Sequence, residues 1–173
     1  NIFSYRKKTK VKLGFIGTGL RGQWMLWLAT KYPELEISAI CDIDDGMIKS
    51  ALKIIKDSGR PEPRIYKQHE EDFLNMVNNE NLDGVYIATP WEWHHPMAIA
   101  AMEAGIHVGT EVPAALTVRE CWDLVNVSER TRKFCMIMEN VCYRRDVMAV
   151  LNMVRQDLFG ELLHCQGGYQ HDL

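Results

Sequence analysis

"VKLGFIGTGLRG", residues 11–22, begins as an apolar run and breaks into glycines, with Gly17, Gly19 and Gly22 in G-x-G-x-x-G spacing. Val11 to Ile16 supply the β-branched and aromatic side chains of a short buried strand, and the residues from Leu20 onward follow helical period. A strand, a tight turn and a helix in that order open a βαβ unit. The glycines permit the tight turn and the close approach of backbone to a pyrophosphate, which then sits on the helix N-terminus. The next apolar run, "EISAICD" (36–42), ends in Asp42. That is close to the spacing of about 20 residues at which a carboxylate accepts hydrogen bonds from an adenosine ribose. Ile43, Asp44 and Asp45 follow, with no arginine or lysine beside them in the chain to hold a 2′-phosphate, so NAD is expected rather than NADP. From the first turn of the helix, Arg21 is within reach of a pyrophosphate, although an exposed arginine with no ligand fits its spacing equally well.

Outward from this unit the alternation continues. Strands are expected at "GVYIAT" (84–89), "IHVGTE" (106–111) and "FCMIME" (134–139), with a weaker "RIY" at 64–66. Helices are expected around Met25, Leu28, Ala29 and Tyr32, around Ile48, Ala51, Leu52 and Ile55, and around Met97, Ala100, Ala101 and Ala104. Another opens with Thr117 and Glu120 in capping-box spacing and is expected to bury Val118, Cys121, Trp122 and Val125. A last one carries Val147, Val150, Leu151, Val154 and Leu158 before Gly160. Strands alternating with helices predict an α/β fold, a Rossmann doubly wound parallel sheet. After Gly160, "ELLHCQGGYQHDL" alternates like a strand, with Leu163, Cys165, Gly167 and Tyr169 on one face and no sequential partner. The expectation is therefore a truncated two-domain protein: residues 1–140 a dinucleotide-binding domain, residues 141–173 a linking helix and the first strand of an α+β substrate domain. That open strand also suggests a homo-oligomer formed through the C-terminal sheet.

Composition narrows the remaining classes. The 173 residues are 47% hydrophobic with a formal net charge of -3. The basic run Arg6, Lys7, Lys8, Lys10 and Lys12 leads into the first strand instead of forming a helical stripe, which argues against nucleic-acid binding. No apolar run approaches the roughly 18 residues of a membrane span, and "NIFSYRKKTK" lacks the apolar core of a signal peptide, so localisation stays unassigned. The five cysteines include no C-x-x-C pair, which suggests neither a disulfide framework nor a zinc clip.

"WEWHHP", 91–96, is the densest cluster of functional side chains, and it lies just past the carboxyl end of a central strand. Ligands of open α/β sheets bind at that edge. Glu92 and His95 form an E-x-x-H, as do Glu161 and His164, but the second pair enters an expected strand and not a bundle helix, so no metal site is expected. Trp91, Trp93 and His94 are then read as lining the crevice over the nicotinamide half of a dinucleotide, with aromatic loop packing as the plainer alternative.

The glycine turn, "IATP", "MEAGIHV" and the strand ending in E-x-P together resemble the glucose-fructose oxidoreductase and inositol dehydrogenase (Gfo/Idh/MocA) superfamily. Members commonly have lysine between that glutamate and proline as an acid/base, whereas this chain has Val112, which cannot move a proton. "WEWHHP", "TEVPAAL", "MENVCYRRDVMAVLNMVRQDLFGELLH" and "GYQHDL" are similar to glycoside hydrolase family 109, over residues 11–173. The resemblance implies an NAD-dependent α-N-acetylgalactosaminidase acting on a glycoside by transient oxidation, elimination, water addition and re-reduction. It implies NAD contacts from Leu20, Arg21, Asp42, Trp91, Glu92, Trp93, His94, Glu111, Val112 and Asn140, and a sugar contact from Tyr169. The catalytic acid/base is unassigned and expected after Leu173. A sugar oxidoreductase with another base, and a non-catalytic dinucleotide-binding domain, stay open as alternatives.

Overall fold

The computed structural model describes residues 10–168. They fall into two compact units, one running to Met138 and the other starting at Glu139. The first unit has six strands, β1 (Val11–Ile16), β2 (Leu35–Cys41), β3 (Arg64–Tyr66), β4 (Gly84–Ile87), β5 (His107–Thr110) and β6 (Cys135–Ile137). Its helices are α1 (Leu20–Ala29), α2 (Asp45–Asp57), α3 (Asp72–Asn79), α4 (Trp91–Glu103) and α5 (Val118–Thr131). The strands form one sheet in the order β3-β2-β1-β4-β5-β6, and every ladder is parallel. This is the doubly wound order that the alternation predicts, and the short Arg64–Tyr66 strand forms one edge.

Side chains alternate between the two faces of each strand, so a sheet covered on both faces has two cores. Ile16, Val85, Ile87 and Val108 face one core with Phe73 and Met76 of α3, Met97, Ala101 and Met102 of α4, and Leu124 and Val127 of α5. Phe15, Ile37, Ile40 and Tyr86 face the other with Leu26 and Ala29 of α1 and Ile48, Ala51 and Ile55 of α2. Local chemistry sets the helix ends. The Asp44 side chain accepts from the N–H groups of Gly46 and Met47 to start α2, and Gly59, at φ +74°, follows its end. Thr117 and Glu120 form the expected capping box of α5.

Three expectations are corrected. The sequence reading names no helix at Asp72–Asn79, yet Phe73, Met76 and Val77 bury one face of a short one there. In α5 the buried residues are Leu124 and Val127, while Val118, Cys121, Trp122 and Val125 are exposed. Both sets keep helical period on the same helix, and contact with α4 selects between them. The strand expected after Gly160 does not form across residues 161–168, which carry no regular structure; a lone alternating segment has no partner for its backbone groups. Tyr169 and the rest of that segment lie outside the described residues.

The second unit consists of a short 3-10 turn, Val141–Tyr143, and the helix α6, Arg145–Arg155. Asp157, at φ +56°, and Gly160, at φ +64°, turn the chain after it. Among the described residues no helix is long and apolar enough to cross a membrane.

Candidate functional site

Parallel register brings the carboxyl ends of five strands level. Ile16 pairs with Cys41 on one side and Ile87 on the other; Ile87 pairs with Thr110, and Thr110 with Ile137. The residues just beyond, Gly17, Asp42, Ala88, Glu111 and Met138, therefore share one edge of the sheet. β1 is flanked by β2 and β4, so the strand order reverses there and the loops leave toward opposite faces. That reversal opens a crevice of about 440 Å³ lined by Gly17, Gly19, Asp42, Thr89, Trp93 and others. A larger trough of about 560 Å³ lies on the sheet face over Phe15, Tyr86 and Val108. It is walled mainly by apolar side chains and touches neither the glycine turn nor Asp42, whereas the crevice at the strand ends holds both and is the candidate site.

Each glycine of the turn meets a different environment. Gly17 has φ +86°, and a Cβ there would lie 2.6 Å from the Ala88 carbonyl oxygen. A Cβ on Gly22 would lie 2.0 Å from the Gly17 oxygen, because α1 leaves the turn in direct contact with it. At Gly19 a Cβ would meet nothing within 4 Å, so its space opens into the crevice. Gly19 is also the N-cap of α1 and supplies no side-chain cap, and no acidic residue occupies the first turn. The first N–H groups of α1 are left for an anion, with the positive end of the helix dipole behind them. A cradle with room at its second glycine and uncapped amides fits the pyrophosphate of NAD.

Asp42 is already engaged. Its Oδ2 accepts from the Thr18 N–H at 2.6 Å and from the Thr18 hydroxyl at 2.9 Å, and its Oδ1 accepts from the Asp44 N–H at 2.9 Å. Ile43, Met47 and Glu70 line the crevice beside it. Cys41, at the end of β2, is buried; that burial, and then the carboxylates of Asp72 and Asp42, push its thiol up to about 12. It is therefore a neutral thiol at physiological pH, not a nucleophile. The fold also brings in a cation absent from the local sequence, since Lys67, just past β3, pairs with Asp45 at 2.5 Å. The bond and charge of Lys67 hold the Asp45 carboxyl below its ordinary range.

"WEWHHP" is the opening of α4 itself. Pro96 falls inside the helix, and its missing N–H leaves the Glu92 carbonyl without its helical donor. Glu92 and Trp93 line the crevice, and Trp93 meets Phe73 edge-on at a ring separation of 6.0 Å. Trp91 is 60% exposed and is not part of the crevice lining. His94 is only 1% exposed. Its Nδ1 lies 2.7 Å from the Pro113 oxygen and its Nε2 lies 2.8 Å from the Thr89 oxygen, so the ring bridges the loops that follow β4 and β5.

Glu111 and Arg21 also meet across the edge. Arg21 donates through Nε to Glu111 Oε1 at 2.8 Å, and the Tyr86 hydroxyl donates to the same oxygen. Burial opposes the Arg21 charge, but the Glu111 bond and charge outweigh it and raise the guanidinium above its ordinary value. Burial, followed by the same carboxylate, pushes the Tyr86 phenol upward. Val112, 44% exposed, is joined to Pro113 by a cis peptide. Asn140 precedes the 3-10 turn of the second unit. Of the residues expected from sequence, the crevice gathers Gly17, Gly19, Leu20, Asp42, Glu92 and Trp93. Thr18, Tyr86, Met47 and Glu70 were not anticipated; only Thr18, inside the glycine motif, had a signal in the sequence that could have raised it. Among the described residues no group of three or more His, Cys, Asp or Glu side chains gathers to hold a metal ion.

Comparison with known proteins agrees with this geometry. The chain is 58% identical over 95% of its length to a glycosyl hydrolase family 109 protein of Parabacteroides distasonis, and covers 35% of that protein. It is 56% identical over 94% of its length to an alpha-N-acetylgalactosaminidase of Tannerella forsythia, again covering 35% of it. The chain thus spans about a third of the length of these curated relatives. Scyllo-inositol dehydrogenase from Lactobacillus casei, solved with NAD(H) and scyllo-inositol, shares the fold with a TM-score of 0.76 at 21% identity, over 88% of this chain and 43% of that one. Residues 143–173 match the model of the glycosyl hydrolase 109 C-terminal domain. Residues 11–139 match the model described as oxidoreductase family, NAD-binding Rossmann fold, and the chain belongs to that family.

Proposed function

We propose that the protein carrying this chain is an NAD-dependent glycosidase acting on α-N-acetylgalactosaminides. On this reading residues 1–140 are its NAD-binding domain, and residues 141–173 begin its substrate domain. The observation that carries it is the likeness, at 58% and 56% identity over 95% and 94% of this chain, to a glycosyl hydrolase family 109 protein and an alpha-N-acetylgalactosaminidase. Beside Glu111, just past β5, the chain has aliphatic Val112 where the dehydrogenases it resembles commonly have lysine. Oxidising a sugar hydroxyl needs a proton acceptor whether the oxidised sugar is released or carried on to elimination, and Val112 cannot serve, so on this reading the acceptor is another residue.

When bound, NAD supplies reversible hydride acceptance, so that oxidation, elimination, water addition and re-reduction sum to hydrolysis. The chain's own residues would bind and orient. Gly19 and the first N–H groups of α1 receive the pyrophosphate, flanked by Leu20 and the backbone of Arg21, whose guanidinium is held by Glu111. Asp42 accepts from the adenosine ribose. Glu92 and Trp93 wall the crevice, and Trp91 and Asn140 are assigned to the same cofactor. His94 acts by fixing the loops after Thr89 and Glu111, which places Glu111 and Val112 over the nicotinamide half. Tyr169 is assigned to the sugar.

The test is a turnover assay on the full-length protein with p-nitrophenyl α-N-acetylgalactosaminide and NAD. Cleavage with no net NADH is expected. Steady NADH accumulation from a free sugar would make the protein an oxidoreductase instead, and neither activity would leave a binding domain.

A further inference from the structure

Thr18 stands between the first two glycines of the turn, fully buried, in a place where the motif itself demands no particular side chain. Both of its donors go to one atom: the N–H at 2.6 Å and the hydroxyl at 2.9 Å meet Asp42 Oδ2. An ionised carboxylate only accepts, so the hydroxyl is the donor in the second bond. The Thr18 carbonyl is held in turn by Gln23 Nε2 at 2.8 Å, and the β-branched side chain has little freedom at χ1. The threonine is thus fixed by α1 on one side and grips the end of β2 on the other.

We propose that Thr18 is a positioning residue that locks Asp42 and so sets the discrimination between NAD and NADP; the inference rests on the NAD site described above. A carboxylate has about four acceptor positions. Three are taken, two on Oδ2 by Thr18 and one on Oδ1 by the Asp44 N–H at 2.9 Å. The open position on Oδ1 suits a donor, which a ribose hydroxyl is. A 2′-phosphate carries about 1.5 to 2 negative charges near pH 7 and offers mainly acceptors. To admit it, Asp42 must swing away, and every bond holding it resists. The nearby cation gives no relief, because Lys67 is paired with Asp45. Removing the Thr18 hydroxyl leaves the backbone bonds but frees the carboxylate to turn.

The experiment measures NAD and NADP dissociation constants by calorimetry for the intact chain and for Thr18→Val, Thr18→Ala, Thr18→Ser and Asp42→Asn. Thr18→Val keeps the shape and loses the hydroxyl. It should weaken NAD binding by about tenfold and narrow the NAD-to-NADP preference by a similar factor. Thr18→Ala, which cannot overpack, carries the same expectation should the valine variant fail to fold. Thr18→Ser should restore the preference to within about twofold, which a merely space-filling role would not achieve. A folded variant lacking the hydroxyl with an unchanged preference would overturn the proposal, as would a serine variant no better than alanine. Asp42→Asn separates the two levels: NAD affinity unchanged in that variant sinks the site reading itself, whereas its loss beside an unaffected Thr18→Val sinks only the lock.

Discussion

An added Cβ at Gly19 meets open space, while one at Gly22 would lie 2.0 Å from the Gly17 oxygen, although both glycines belong to one motif. Gly19→Ala should therefore melt within a degree or two of the parent and yet lose NAD affinity, because the methyl group occupies the approach to the pyrophosphate. Gly22→Ala should instead destabilise the fold by about 1–3 kcal/mol, since α1 must shift off the turn. Thermal melts and NAD calorimetry on both variants check the pair, and equal melting points would refute the division of roles. Asp42→Ala removes a charged acceptor and should cost about 1.5–3 kcal/mol of NAD binding in a folded protein. Unchanged affinity would take Asp42 off the cofactor list. The chemical type of these residues was legible in sequence because glycine spacing and a carboxylate at a strand end are local features. That Asp42 is held by Thr18, and that His94 bridges two backbone carbonyls while Trp91 lies open, are contacts across 24 and 19 residues or a matter of exposure.

The short helix α3 starts from Asp72, which is buried and accepts from Asn75 Nδ2 at 2.8 Å and from the Gln68 N–H at 2.9 Å. Burial works against its charge, but these bonds and nearby His69 prevail and hold the carboxyl below its ordinary value. A depressed folded value means that Asp72 contributes stability above the unfolded value of about 3.9, and that this is lost as pH falls through the folded value. Asp72→Asn should accordingly melt below the parent at neutral pH, with the gap closing under about pH 4. Melting curves from pH 7 to 2.5 measure it, and a gap independent of pH would rule out the charge as its source. Element existence was read well from periodicity along β1, β2, β4 and β5. In α5 it failed on orientation, because two stripes of helical period coexist and only α4 decides which is buried.

For the molecule as a whole, a ligand that binds only the folded state stabilises it by mass action, by about 2.7 kcal/mol at a hundredfold excess over its dissociation constant. NAD should raise the melting temperature of the chain measurably, NADP at the same concentration should raise it less, and Asp42→Ala should abolish the difference. Scanning fluorimetry reads all three, and an NADP shift equal to that of NAD would contradict the cofactor preference. The sequence by itself determined the strand-turn-helix opening, the alternation that makes a parallel sheet, the capping box of α5 and the acidic end of β2. Each of these is written in neighbouring residues, through backbone freedom, side-chain period and local hydrogen bonding. Only the tertiary structure decided that the Gly17, Asp42, Ala88 and Glu111 positions share one edge, that Arg21 turns to Glu111 and Tyr86, and that Lys67 reaches Asp45. Those meetings depend on strand order and register, which are fixed by packing both faces of the sheet at once and not by any single stretch of chain.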